Sequence, residues 1–142
     1  MQTGADAVAR ERVGIAFNAR FMLLAMLLFA VEVIIATQLS HVGWVRAYLG
    51  DVLVVVLLYA CVRSVLRIND HVVLLLVFLF ACCIEIAQLY SLAERLGFVR
   101  GDLMYTVIGN TFSWADIACY SIGCAVVAGI TSLVRARANA FV

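Results

Sequence analysis

Four carboxylic acids interrupt sequence that is otherwise almost wholly apolar: Glu32, Asp51, Glu85 and Asp116. Glu85 is the most exceptional of them. It lies within Val72 to Leu92, VVLLLVFLFACCIEIAQLYSL, where the only other strongly polar side chain is Gln88. Three positions separate the two, so they share one helical face. Placing a carboxylate in the middle of such a run costs about 3 kcal/mol unless it meets a partner or water. Side chains of this kind line cavities, bind ligands or relay protons. The plainer alternative is a bond between helices, with a neutral Glu85 donating to a carbonyl or to Gln88.

Asp116, Tyr120 and Gly123 follow one another at steps of four and three, which makes one stripe on a helix. Ser113 stands three residues before Asp116, a capping arrangement, and the positive end of a helix there favours an anion. Asp51 comes directly after Gly50, with Arg46 about one turn earlier, so an interfacial ion pair competes with a site role. Glu32 has no polar neighbour at helical spacing and is expected to meet a partner from another segment, Arg46 or Arg100. Arg100 and Asp102 are either solvated loop charges or, folded over the bundle, leave Arg100 facing an anionic headgroup.

Glu32, Arg46, Asp51, Glu85, Gln88, Arg100, Asp116 and Tyr120 are therefore the candidate lining of one pocket. No serine–histidine–acid set, glycine-rich phosphate loop or paired metal-ligand spacing accompanies them, so neither a metal nor a cofactor is expected. The five cysteines fall inside apolar runs and read as small packing residues.

The elements that must hold these groups are set by hydropathy. Of the 142 residues, 66% are hydrophobic and only 13% charged, against about 25% charged in soluble domains. Runs of roughly 20 apolar residues are long enough for a bilayer core of ~30 Å. They fall at about 21–38, 49–67, 72–92 and 114–134. The fold expected is all-α: a polytopic four-transmembrane-helix bundle forming one membrane domain, 1–142. Residues 1–19 form a polar N-terminal segment. An amphipathic surface helix with Val8, Val13, Ile15 and Phe17 against lipid is one reading of it. Asn69 and Asp70 read as a tight turn. Residues 93–112 cannot span and read as interfacial or re-entrant.

All ten basic residues are arginine. Arg10, Arg12, Arg20, Arg63, Arg67, Arg135 and Arg137 flank one side of this topology, and Arg46, Arg95 and Arg100 the other. The bias puts both termini in the cytoplasm. Glu32 and Glu85 then lie about six residues, ~9 Å, from the outer ends of their spans. Asp51 and Asp116 open their spans from that same side. Four acids at similar depth point to a cavity opening outward. A net charge of +1 without a basic run gives no reason to expect nucleic acid.

The segments RAYLGD (Arg46 to Asp51), EIAQLY (from Glu85), Arg100 and GNTFSWADIACYSIG (Gly109 to Gly123) together resemble the DUF2809 family of small bacterial membrane proteins. More distantly, the chain is similar to VanZ-like proteins, which share a helix with Glu and Gln, then a loop, then a helix opening on Asp. Asparagine is common in that pattern where Tyr120 stands here. The resemblance implies a bacterial cytoplasmic membrane and a ligand related to the cell envelope, lipid-like in character. The alternatives left open are a carboxylate acid–base enzyme acting on a lipid-linked substrate, ion-coupled transport, and an assembly scaffold. The lipid-facing surface of so small a bundle leaves room for a homo-oligomer.

Overall fold

The computed structural model describes residues 14–39, 41–101, 105 and 111–140, and of Arg46 only the backbone. The expectations placed on Val8, Val13 and Asp102, and on residues 103–104 and 106–110 of the 93–112 segment, lie outside the described residues.

A two-residue strand β1 (Gly14–Ile15) precedes helix α1 (Ala19–Thr37). A stretch of wider π-type turns, Val45–Leu49, runs directly into α2 (Gly50–Val65), and β2 (Leu66–Arg67) follows. Helix α3 (Asp70–Leu89), the single turn α4 (Leu92–Arg95) and α5 (Trp114–Ala140) complete the described elements. Among the described residues, four helices are long and apolar enough to cross a membrane. The protein is thus an all-α, multi-pass helical bundle.

Local chemistry explains the boundaries. The Asn18 side chain accepts from the Arg20 and Phe21 amides and starts α1. Asn69 does the same for α3 by accepting from the His71 amide at 2.9 Å, so Asp70 belongs to the first turn of a helix rather than to a tight turn. Ser91, left-handed at φ +51°, ends α3 at Leu89, short of the Leu92 expected from apolarity. Helix α5 continues past Val134 to Ala140, because Arg-Ala-Arg-Ala-Asn-Ala holds good helix formers and no proline.

The described end of the N-terminal segment is extended, which corrects the surface-helix reading for Ile15 and Phe17. Gly14 and Ile15 pair antiparallel with Arg67 and Leu66. Ala16 and Asn18 then donate to the Val65 and Ser64 carbonyls at 2.9 and 2.8 Å. These bonds satisfy the backbone carbonyls left over where α2 ends.

Helix α2 is the hub. It packs against α1, α3 and α5, and α3 also packs against α5, while α1 makes its helix contacts almost wholly with α2. The core joins Val55 and Tyr59 of α2 to Val73, Leu74, Val77 and Ala81 of α3 and to Tyr120 and Val127 of α5. Between 11% and 28% of each span is buried, and large apolar side chains such as Leu23, Phe29, Leu75 and Ile130 point outward. An outward apolar surface of that extent is the pattern lipid requires and water penalises.

Gly123 sets the approach of α5 to α2. A Cβ there would lie 2.9 Å from the Val52 carbonyl oxygen and 3.0 Å from Val55 Cβ. Gly123→Ala is expected to destabilise the bundle by about 1–3 kcal/mol. Gly129, with open space around it, serves as the control, and Gly129→Ala should be silent or slightly stabilising. Denaturation titrations in mixed micelles would compare them, and equal midpoints would show that the α2–α5 contact yields readily.

At the end of the bundle where α1 begins and α5 finishes, Asp70 is buried and gathers three partners. The Tyr59 hydroxyl donates to it at 2.8 Å, Arg63 Nε lies 3.2 Å away as an ion pair, and Arg135 Nη2 donates to its other oxygen. Arg63 is fixed further by donating to the Ile68 carbonyl at 2.8 Å and by stacking over the Phe21 ring.

Candidate functional site

Each helix contributes to the site through residues at helical spacing. Helix α1 presents Glu32, Ile35 and Ala36; α2 presents Asp51, Val54 and Leu58; α3 presents Ala81, Ile84, Glu85 and Gln88; α5 presents Asp116 and Tyr120. Together with Gly50 and Phe80 they enclose a cavity of about 470 Å³. It forms over α2, against which both α1 and α3 pack. Its wall combines the acids and Gln88 with apolar side chains, among them Ile35, Val54, Leu58 and Phe80.

Glu85 is fully buried and anchors the arrangement. Tyr120 donates its hydroxyl to Oε1 at 3.0 Å, and the Ser113 backbone N–H donates to Oε2 at 3.1 Å. The carboxylate therefore sits at the N-terminus of α5, where the helix dipole favours negative charge. The Ser113 hydroxyl in turn accepts from the Asp116 amide at 3.4 Å, the cap that its spacing implies. Among the described residues, Glu85 thus bonds to α5 and the residue before it, not to Gln88 or to a carbonyl.

Asp51 stands at the centre of the acids. Asp116 is close enough to share a hydrogen bond with it, and the charges of Glu85 and Glu32 also reach it. A hydrogen bond between two carboxyls requires one proton between them. Glu32 lies over Gly50, where a Cβ would come 3.7 Å from its Oε2. Its Oε1 is buried and has no hydrogen-bond partner among the described residues. No described basic side chain lines the cavity, and no three described acids, histidines or cysteines converge as metal ligands do.

Six of the eight residues singled out by sequence meet here: Glu32, Asp51, Glu85, Gln88, Asp116 and Tyr120. Arg100 does not. It lines a separate cavity of about 340 Å³ with Glu94, Phe98 and Tyr105, and is therefore no partner for Glu32. Tyr105 donates to Glu94 at 3.3 Å there, and its bond to Arg100 raises the pKa of that guanidinium. The Arg46 side chain lies outside the described residues, though its backbone belongs to the π-type turns that deliver Gly50 and Asp51 to the cavity.

Sequence reasoning missed the apolar lining, Ile35, Ala36, Val54, Leu58, Phe80, Ala81 and Ile84, and two backbone participants. The Ser113 amide carries no side-chain signature, and Gly50 matters through what it lacks. The Asp70 cluster was also missed, although Tyr59 and Arg63 at a spacing of four place two polar groups on one face of α2.

Comparison with known proteins gives a family and nothing finer. A family model described as a protein of unknown function (DUF2809) matches residues 40–124. That range holds Asp51, Glu85, Gln88, Asp116 and Tyr120, and leaves Glu32 outside. No curated protein and no solved structure matches. With more than half of its length matched, the chain belongs to the DUF2809 family.

Proposed function

We propose that this membrane protein binds an amphipathic, lipid-like molecule of the cell envelope in the acidic cavity. One observation carries the reading. Four helices place four carboxyls and an amide on the wall of a 470 Å³ cavity that is also lined by apolar side chains. A ligand matching that wall has a cationic or hydrogen-bond-donating head and a hydrocarbon portion. The head lies among Glu32, Asp51 and Asp116, and the hydrocarbon against Val54, Leu58 and Phe80. The arginine-rich end of the bundle faces the cytoplasm of a bacterial inner membrane, so the cavity opens on the opposite side. The VanZ-like resemblance supports the same placement.

The test uses three probes of equal chain length: dodecylamine, dodecanol and dodecanoate. Thermal stabilisation of the purified protein should rank amine above alcohol above carboxylate. Asp51→Asn combined with Asp116→Asn should weaken the amine at least tenfold and leave the alcohol little changed. Equal stabilisation by all three probes would remove the acids from recognition.

The closeness of Asp51 and Asp116 favours a second reading, in which a shared proton serves acid–base chemistry on a lipid-linked substrate. Turnover of an envelope lipid, lost in either single variant, would promote it above simple binding. A transmembrane proton path has less support. Val55, Val73, Val77 and Val127 form part of the apolar core between this cavity and the Tyr59–Asp70 pair.

A further inference from the structure

A third cavity, of about 330 Å³, lies near the opposite end of the bundle, over α2 and between α1 and α5. Its wall is mostly apolar: Phe21, Leu24, Val56, Val127, Ile130 and Val134. Arg63, Asp70 and Arg135 stand at its polar end. We propose that this groove is a selective site for an anionic phospholipid, with one acyl chain along the apolar wall and the phosphate on Arg135.

Charge and exposure support this occupant together. Two guanidinium groups face one carboxylate, so the cluster keeps a net positive charge after its internal pairing. Arg63 is committed to the Ile68 carbonyl, to Asp70 and to the face of Phe21. Arg135 bonds Asp70 through Nη2, and its side chain remains 55% exposed. A guanidinium offers five N–H donors in a planar fork, so others remain for phosphate oxygens.

The surrounding charge acts in the same direction. Arg20, Arg67 and Arg137 belong to the same end of the bundle, where Asp70 is the one acidic residue among those described. The apolar wall continues onto surface facing hydrocarbon, since Ile130 and Val134 are 56% and 62% exposed. A free phosphate ion would use the arginines and leave that wall unused. A phospholipid uses both.

The experiment is a native mass spectrometry titration of the full chain, released from detergent, with phosphatidylglycerol and phosphatidylcholine carrying identical acyl chains. Wild type should retain phosphatidylglycerol roughly fivefold or more over phosphatidylcholine, the scale expected for one basic group acting on an anionic lipid. Arg135→Gln should bring that ratio close to one. Arg137→Gln, outside the groove, should keep it. Glycerophosphate, which carries the headgroup charge without chains, should fail to displace the lipid at matched concentration. Val134→Trp fills the groove with every charge intact and should also cost most of the preference. That variant decides the matter should Arg135→Gln not fold. An unchanged ratio in Arg135→Gln or Val134→Trp overturns the site. So does equal loss in Arg137→Gln, which would mean diffuse charge, or displacement by glycerophosphate, which would mean a simple anion site.

Discussion

Replacing Glu85 by alanine is expected to destabilise the bundle by about 2–4 kcal/mol, while Glu85→Gln stays near wild type. Alanine removes the acceptor for two donors at once, the Tyr120 hydroxyl and the Ser113 N–H. A buried donor left unpaired costs about 1–3 kcal/mol. Hydrogen bonds between membrane helices average nearer ~0.6 kcal/mol, because the unfolded segments also find partners in the bilayer. The expected sum therefore falls below two full penalties, with the emptied volume beside Tyr120 adding to it. Glutamine keeps the shape: its carbonyl accepts from Ser113 while its amide donates to a rotated Tyr120 hydroxyl. Denaturation in mixed micelles separates the two variants. An alanine variant as stable as wild type would reduce Glu85 to a bystander at the start of α5.

The other large effect is expected at Asp70. Asp70→Ala leaves Arg63 and Arg135 without their shared counter-charge and the Tyr59 hydroxyl without an acceptor. Breaking a buried ion pair from one side costs about 3–5 kcal/mol, and the half-exposed Arg135 lowers the expected loss to about 2–4 kcal/mol. Tyr59→Phe, which removes one hydrogen bond and keeps the ring against Phe21, should cost about 1 kcal/mol. A double-mutant cycle between Asp70→Ala and Arg135→Gln measures the pair itself. Coupling indistinguishable from zero would show that α5 is held at this end by its apolar contacts alone.

Much of the fold was legible because lipid reverses the usual sequence code. Runs apolar on every side, such as Phe21 to Val31, have no water-soluble reading, and the lengths of the segments they belong to fix the number of spans. The polar wall of the cavity was legible for a related reason. Each carboxyl inside such a run needs company, and Glu85 with Gln88, like Asp116 with Tyr120, shares a face by spacing alone.

What escaped the sequence depends on contacts between distant backbone and side chains. Nothing in the identity of Ser113 says that its amide will face a carboxylate 28 residues earlier in the chain. The β1–β2 bridge is two residues long and has no periodicity to read. Asp70 followed an asparagine, and that pair has the composition of a turn. Only the fold brings Tyr59, Arg63 and Arg135 around it. Arg100 looked like a partner for the acids because its loop follows their helix, yet Gly97 and Gly101, both at positive φ, bracket a turn that carries it elsewhere.

The acidic cavity as a ligand site is tested most directly by native mass spectrometry with lipid analysis of the gently purified protein. Wild type would be compared with Glu32→Gln combined with Asp51→Asn, substitutions that remove two ionisable carboxyls and preserve side-chain volume. The account predicts a defined co-purifying amphiphile, cationic or rich in hydrogen-bond donors, present in wild type and strongly depleted in the double variant. An identical lipid complement in both proteins, with both equally folded, would contradict it.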